Sequence, residues 1–443
     1  MNSHAHNIDD TVGNKAKEFA AQLLNFIEIT PEIHHCVSNL SSSLQKEGFH
    51  RLDLGSPWDL EQGERYFVTK NGRAIIAFFV GELEENPPQF HIIAAHGDSP
   101  GFTIKPQSDL IANGAIRLNT EPYGGMIHHS WLDRPLSLAG RVIVQKDNKI
   151  QCRLVNFQRD LLVIPDVAIH QNREVNDGVK RNPQTQLLPI LSLDETTGGL
   201  KKLLEETLGE NTILGWDLSL YNREQGRFVG LDEEMILAPR LDDLASVYPA
   251  FRALQSCGIP RGIAMAAVFH HEEIGSMSQQ GADSTFLAEV IDRIARTMHF
   301  DRDIALAHSY MLSADNAHGT HPNYSEKSDP THDVPLNGGI VVKHHANYAT
   351  DGLSSALCHA LCRKAGVPSL DFACRSDLKC GSTLGNISAT HVSIDTADIG
   401  LPQLAMHSAC ETMGTYDPFR LFSLAKTFFQ TEFHKNEDEI LWK

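Results

Sequence analysis

The chain has 443 residues, 38 of them basic and 56 acidic, for a formal charge of −18. That length suits about two domains with an ample core, and the acidic balance argues against nucleic acid as a partner. No apolar run approaches the roughly 20 residues that span a bilayer, so no membrane partner is expected.

Met1 to Asp10 is polar and acidic, unlike a secretory leader. The eight cysteines are scattered, and none forms a Cys-x-x-Cys pair. A reducing cytoplasm is the expected compartment. Phe19, Leu23, Phe26 and Ile27 share one face of a helix beginning near Thr11. Pro31 interrupts, and a second helix is expected from about Glu32 to Gly48. Arg65 to Lys70 and Ala74 to Val80 read as strands, joined through Asn71-Gly72, a hairpin turn signal. Phe90 to Ala95 reads as a buried strand that delivers His96-Gly97-Asp98.

After Pro106 the character changes. Leu136 to Val144, Ile150 to Phe157 and Phe228 to Leu231 alternate as short strands, with a helix at Thr197 to Leu208. An α/β rhythm resumes after Pro239. A helix from Asp243 to Ser256 precedes a strand from Gly262 to Phe269. A helix from Ser284 to Met298 precedes a strand from Tyr310 to Ala314, which reaches Asp315. Strand Gly339 to Lys343, helix Gly352 to Ala365, strand Leu370 to Cys374 and a helical start at Gly381 to Leu384 follow. One more extended run leads to His407, and a helix from Pro418 to about Phe433 closes the chain. The expected fold is α/β. A mixed-sheet domain of residues 1–105 and 235–443 is interrupted by a mostly β insert at residues 106–234.

Chemistry collects at the predicted strand ends. The apolar run before His270-His271-Glu272-Glu273 reads as a buried parallel strand, and α/β sheets bind ligands outside the carboxyl ends of such strands. Adjacent glutamates on an extended segment point opposite ways, so one can ligate a metal while the other stays free as a base. His96, Asp98, Asp242, Asp315 and His407 also fall at strand ends. Two imidazoles and several carboxylates suit zinc or a similar divalent ion. Five ligands could hold two metals if one carboxylate bridges them. Asp98, two residues from His96, could accept the second imidazole proton and fix the tautomer. Singly, each has a plainer reading. Asp242 could cap the following helix, Asp315 could form an Asx turn, and His96 could be a core histidine.

Several blocks in order carry a resemblance. They are Ala95-His96-Gly97-Asp98-Ser99-Pro100, Pro239-Arg240-Leu241-Asp242, His270-His271-Glu272-Glu273-Ile274-Gly275-Ser276, Asp315-Asn316-Ala317-His318 and Met406-His407-Ser408. Together they resemble the aspartyl aminopeptidase family of metallopeptidases over nearly the whole chain. The resemblance implies a zinc-exopeptidase-like catalytic domain with an inserted β-rich dimerisation domain, and two zinc ions per subunit. Asp242 would bridge the ions, His96 and Asp315 would complete one, and Glu273 and His407 the other. Glu272 would be the general base. Substrates would be peptides with an acidic N-terminal residue. Lys343 and His318 match the positions that would supply a cation to that side chain, and Tyr348 would line the same pocket, although the spacing after Lys343 departs from the family pattern. A homo-oligomer is implied, a dodecamer built from dimers, with His170 of the insert reaching a neighbour's active site. A related dinuclear-zinc carboxypeptidase or N-deacylase is the nearest alternative, and it would need a cation for a substrate carboxylate instead of an amine site. A non-catalytic assembly or cargo protein on the same fold would have lost ligands or the base, and here all are present.

Overall fold

The computed structural model describes residues 10–83, 88–209, 212–436 and 439–443. It opens with helices Asp10–Glu28 and Ile33–Lys46. The first buries Phe19, Leu23, Phe26 and Ile27, the face set by their spacing. At the break, the Glu32 carboxylate accepts from the backbone N–H groups of His34 and His35 and caps the second helix.

Among the described residues the central sheet has nine strands, with His50–Arg51, Arg65–Lys70 and Ala74–Val80 on one side. Ile263–Phe269, Phe90–His96, Tyr310–Ala314 and Asp395–Gly400 lie parallel in the middle. Ile340–His344 and Ser369–Ala373 complete it, the former antiparallel to its inner neighbour. Ile263–Phe269 and Phe90–His96 are buried at every position, which is why the first is a continuous apolar run and the second is apolar apart from His91 and His96. Their alternate residues serve two cores. Ile93 and Ala95 join Leu254 and Phe428 on one face of the sheet, whereas Ile92 and Ala94 join Phe286 and Ile291 on the other.

The middle of the chain forms a six-stranded antiparallel sheet in the order Lys149–Asn156, Leu136–Lys146, Thr212–Asn222, Gly101–Ala112, Ala115–Tyr123, Ile190–Ser192. Helix Gly199–Leu208 covers its core through Leu200 and Leu204. This sheet begins earlier than the change of character at Pro106 suggests. Gly101–Ala112 runs through that proline because the pairing with Ala115–Tyr123 shifts register between Ile104 and Asp109.

Arg227–Val229 does not join the six-stranded sheet. It pairs with Met235–Ala238 in a five-stranded sheet that also contains Glu411–Gly414, Pro402–Leu404 and Ala317–His318. The helical start expected at Gly381 begins only at Leu384. The last helix, Asp417–Phe429, stops short of Phe433, which is buried in a ribbon with Ile440–Trp442. Among the described residues no helix is long and apolar enough to cross a membrane.

Candidate metal centre

Three adjacent parallel strands end at one crevice. His96 is the last residue of its strand, Asp315 follows Tyr310–Ala314, and Glu272 and Glu273 occupy a tight turn just beyond Ile263–Phe269. The five-stranded sheet brings two more groups. Asp242 follows Met235–Ala238 at the head of Leu241–Ser256, where the backbone of Asp242 and Asp243 is not yet helical and their peptide is cis. His407 lies between Pro402–Leu404 and Glu411–Gly414, at a φ of 67°.

These side chains form two groups that share Asp242. One ligand atom each from His96, Asp242 and Asp315 lies within 4.8 Å of the others, and so does one each from Asp242, Glu273 and His407. The two oxygens of Asp242 face different histidines. Oδ1 is 3.4 Å from His96 Nε2, and Oδ2 is 3.4 Å from His407 Nε2. His96 Nε2 is also 3.8 Å from Asp315 Oδ1, and His407 Nε2 is 3.3 Å from Glu273 Oε2. Glu272 forms a third grouping with His96 and Glu273. Both glutamates therefore approach one histidine, whereas an extended segment would send them to opposite sides. The turn replaces the extended backbone, with His271 at a φ of 64°, so strand alternation does not apply.

Electrostatics and unmet hydrogen bonding both suit a divalent cation here. Asp242 Oδ1 and Glu273 Oε1 are buried without a hydrogen-bond partner among the described residues. Burial and the Asp242 charge push Glu273 well above the ordinary glutamate range. Burial, with Asp315, Asp98 and Asp242 nearby, pushes Glu272 up to about 8. Burial alone would raise Asp242, but His407 and His96 beside it hold it below the usual carboxylate range. A cation among them would relieve the repulsion and satisfy the orphaned oxygens. Imidazole with carboxylate is a donor set that zinc accepts.

Asp98 supports the site differently from expectation. His96 Nδ1 lies 3.0 Å from the backbone carbonyl of Asp98, while the carboxylate Oδ1 is 3.6 Å away. The carboxylate instead accepts from the Tyr123 hydroxyl at 2.6 Å and from the backbone N–H groups of Glu272 and Glu273 at 3.4 and 3.3 Å. Asp98 lies past the end of the strand, so the extended geometry that would aim its side chain along His96 is lost. Its backbone fixes the imidazole and its carboxylate fixes the glutamate turn.

Lys343 is 3% exposed, with Nζ 3.3 Å from Asp315 Oδ2 and 5.7 Å from the centre of the Tyr348 ring. The Tyr348 hydroxyl meets Cys380 Sγ at 3.1 Å. His318 ends the short strand Ala317–His318, exposed, within electrostatic reach of Lys343, Asp315 and His407. His170 is exposed on a loop of the middle region, and among the described residues no contact joins it to the cluster.

Two residues of the site escape sequence reasoning. Tyr123 ends a strand of the six-stranded sheet, and nothing local marks it. Glu411 is 2% exposed and accepts from the backbone N–H groups of Asp242 at 3.1 Å and His407 at 2.7 Å. A glutamate four residues after a candidate ligand and heading a strand was the available signal.

Residues 26–429 match the M18 family, described as aminopeptidase I zinc metalloprotease. The chain belongs to that family. It is 41% identical over 430 residues to a probable M18 family aminopeptidase 2 of Clostridium novyi, covering 94% of this chain and 99% of that one. A protein of the same description from Pseudomonas aeruginosa is 38% identical over 418 residues, covering 92% of this chain and 97% of the relative. Among solved structures, the fold matches a chain in the Ape4 and Nbr1 complex with a TM-score of 0.90 at 34% identity, covering 97% of this chain and 88% of the other. An M18 aminopeptidase from Thermotoga maritima shares the fold at a TM-score of 0.82, with 22% identity and coverage of 96% and 98%. The M18 chain is thus a zinc aminopeptidase.

Stripping divalent metal should destabilise the fold, because crowded carboxylates would lose their counter-charge. Zinc at about 100 times its dissociation constant stabilises a folded site by ~2.7 kcal/mol. The melting temperature should fall on chelation and recover on adding zinc. An unchanged melting temperature after verified metal removal would argue against zinc at this cluster.

Proposed function

We propose that this M18 enzyme removes N-terminal aspartate or glutamate from peptides, as aspartyl aminopeptidases do, with two zinc ions per subunit. The observation that carries the reading is the shared carboxylate. Asp242 presents one oxygen to His96 and the other to His407, so His96 and Asp315 complete one site while Glu273 and His407 complete the other. Zinc held there would polarise the scissile carbonyl and acidify the attacking water. Glu272 belongs to neither of the two sets that share Asp242. Its carboxylate oxygen takes the proton of the attacking water and passes it to the leaving amine. Asp98 holds the turn that aims Glu272. Carboxylates around the cluster receive the free α-ammonium of the substrate.

The acidic side chain of the substrate needs a cation. Lys343 supplies it from beside Asp315, since an ammonium has three donors and Asp315 occupies one of them. His318 and Tyr348 border the same pocket. The eight free cysteines are in keeping with a reducing cytoplasm.

Residues 1–105 and 235–443 act as the catalytic unit, and residues 106–234 as a dimerisation insert. Val167 and Ile169, each 52% exposed, precede His170 and give the insert apolar side chains for a second copy to cover. One solved relative at 25% identity and a TM-score of 0.81 is described as the S. cerevisiae mApe1 dodecamer. We take this chain to assemble likewise, as dimers within a dodecamer, with His170 completing the neighbour's site.

Three measurements test these assignments. Glu272→Gln should keep both metals and lose about 10²–10⁴-fold in turnover, the worth of a general base, whereas Glu273→Ala should release one metal. Near-normal turnover by Glu272→Gln would remove it as the base. Lys343→Ala should cost Asp-peptides about 1.5–3 kcal/mol in kcat/KM, the scale of a hydrogen bond to a charged group, and Ala-peptides far less. Equal losses on both peptides would leave Lys343 only a partner of Asp315. Finally, inactive His170→Phe and Glu272→Gln subunits should regain activity when reassembled together. No recovery despite proven subunit exchange would sink the action of His170 in trans.

A further inference from the structure

Asp242 and His407 reach the crevice from separate segments of the five-stranded sheet, and one side chain ties the two backbones together. Glu411 opens the strand Glu411–Gly414, whose pairing with Met235–Ala238 sets Glu411 opposite Ala238, four residues before Asp242. From there Glu411 Oε2 accepts the Asp242 N–H at 3.1 Å, and Oε1 accepts the His407 N–H at 2.7 Å. Both donors are at least partly buried and need an acceptor, and a carboxylate meets both at once through charge-assisted bonds. The other supports of Asp242 come from elsewhere. Ser99 Oγ donates to the Asp242 carbonyl at 2.7 Å, and Asn316 Nδ2 donates to the Leu241 carbonyl at 2.8 Å.

We infer that Glu411 is a positioning residue that sets the separation of Asp242 and His407, and thereby the affinity of the ion held by Asp242, Glu273 and His407. The inference rests on the two-zinc reading above. His407 has a sparsely populated left-handed backbone, at a φ of 67°. Ile127 donates to its carbonyl and its Nδ1 meets the Gly125 carbonyl, while Glu411 takes its N–H and is the group that ties it to Asp242. His96 and Asp315 stand at the ends of central-sheet strands and do not depend on Glu411. Asp242 serves both ions, but the Ser99 and Asn316 bonds still hold its segment, so losing Glu411 should weaken the ion bound through His407 far more than the other. A residue that merely filled space or stabilised the fold would not discriminate between the two.

The test measures zinc per subunit and chelator competition for the wild-type protein, Glu411→Gln and Glu411→Asp. The glutamine keeps the volume but turns an amide N–H₂ against one of the two backbone donors. The aspartate keeps the charge but is one methylene too short to reach both. The wild type should hold two zinc ions. Each variant should hold one with close to wild-type affinity and the other about 10–100-fold more weakly, the usual cost of losing a group that orients a ligand, and excess zinc should refill the weak site. Two ions held at wild-type affinity in both variants would overturn the inference. So would equal weakening of both ions, or failure of both variants to fold, since either outcome marks a general structural role. A wild-type protein that saturates at one zinc would instead bring down the two-zinc reading, and this inference with it.

Discussion

Negative charge concentrated at the carboxyl ends of three parallel strands is the constraint around which the site is arranged. Asp242, Glu272, Glu273 and Asp315 converge on two imidazoles, largely out of water. Burial, reinforced by their mutual repulsion, raises Glu272 and Glu273 above the ordinary range, and among the described residues only one ammonium, that of Lys343, is paired with the ligand set. A folded chain holds such a cluster when its segments are fixed by something other than the cluster itself. Here the apolar strands of the central sheet and the five-stranded sheet do that work, and the cluster is carried at their ends.

The fixing is done mostly by side chains that hydrogen-bond to backbone groups. Arg240, just before the ligand segment, adopts a φ of 58° and donates to the carbonyls of Thr30 and Ile27 at 3.1 Å each, tying that segment to the first helix. Residues with positive φ gather around the crevice at Arg240, His271, Ala405 and His407. Sparsely populated backbone of this kind persists where the surroundings determine it, and it is common at functional sites. Regular strands bring the chain to the crevice, and irregular turns then aim the side chains.

That division explains what could be read from the sequence. The strands ending at His96, Phe269 and Ala314 are buried on both faces, so their largely apolar composition announced them, and with them the positions of His96, Glu272, Glu273 and Asp315. Asp242 and His407 were also collected at predicted strand ends, but their roles came from the blocks that resemble a family. The direction of side chains beyond the strand ends was not legible. Glu272 and Glu273 were expected to diverge and instead approach the same imidazole, and Asp98 was expected to turn its carboxylate to His96 and gives it to the following turn. Both errors extend a period-two rule past the last residue that obeys it. The strand through Pro106 was hidden for a related reason, since a register shift lets a proline pass where a regular ladder would not. Phe228 alternates as a strand should, but the alternation says nothing about which sheet receives it.

Tyr123 carries a wider meaning. It belongs to the six-stranded sheet, yet its hydroxyl holds the carboxylate that holds the glutamate turn. The next residue, Gly124 at a φ of 72°, comes so near the turn that a Cβ there would lie 3.1 Å from that of Glu273. The middle region is therefore no detachable accessory. Recombining it between relatives is constrained at this seam, where a chimera that matched every metal ligand could still inherit a misaimed glutamate. Changes on the two sides of the seam must keep pace with each other, so the region's evolutionary history is bound to that of the chemistry it borders.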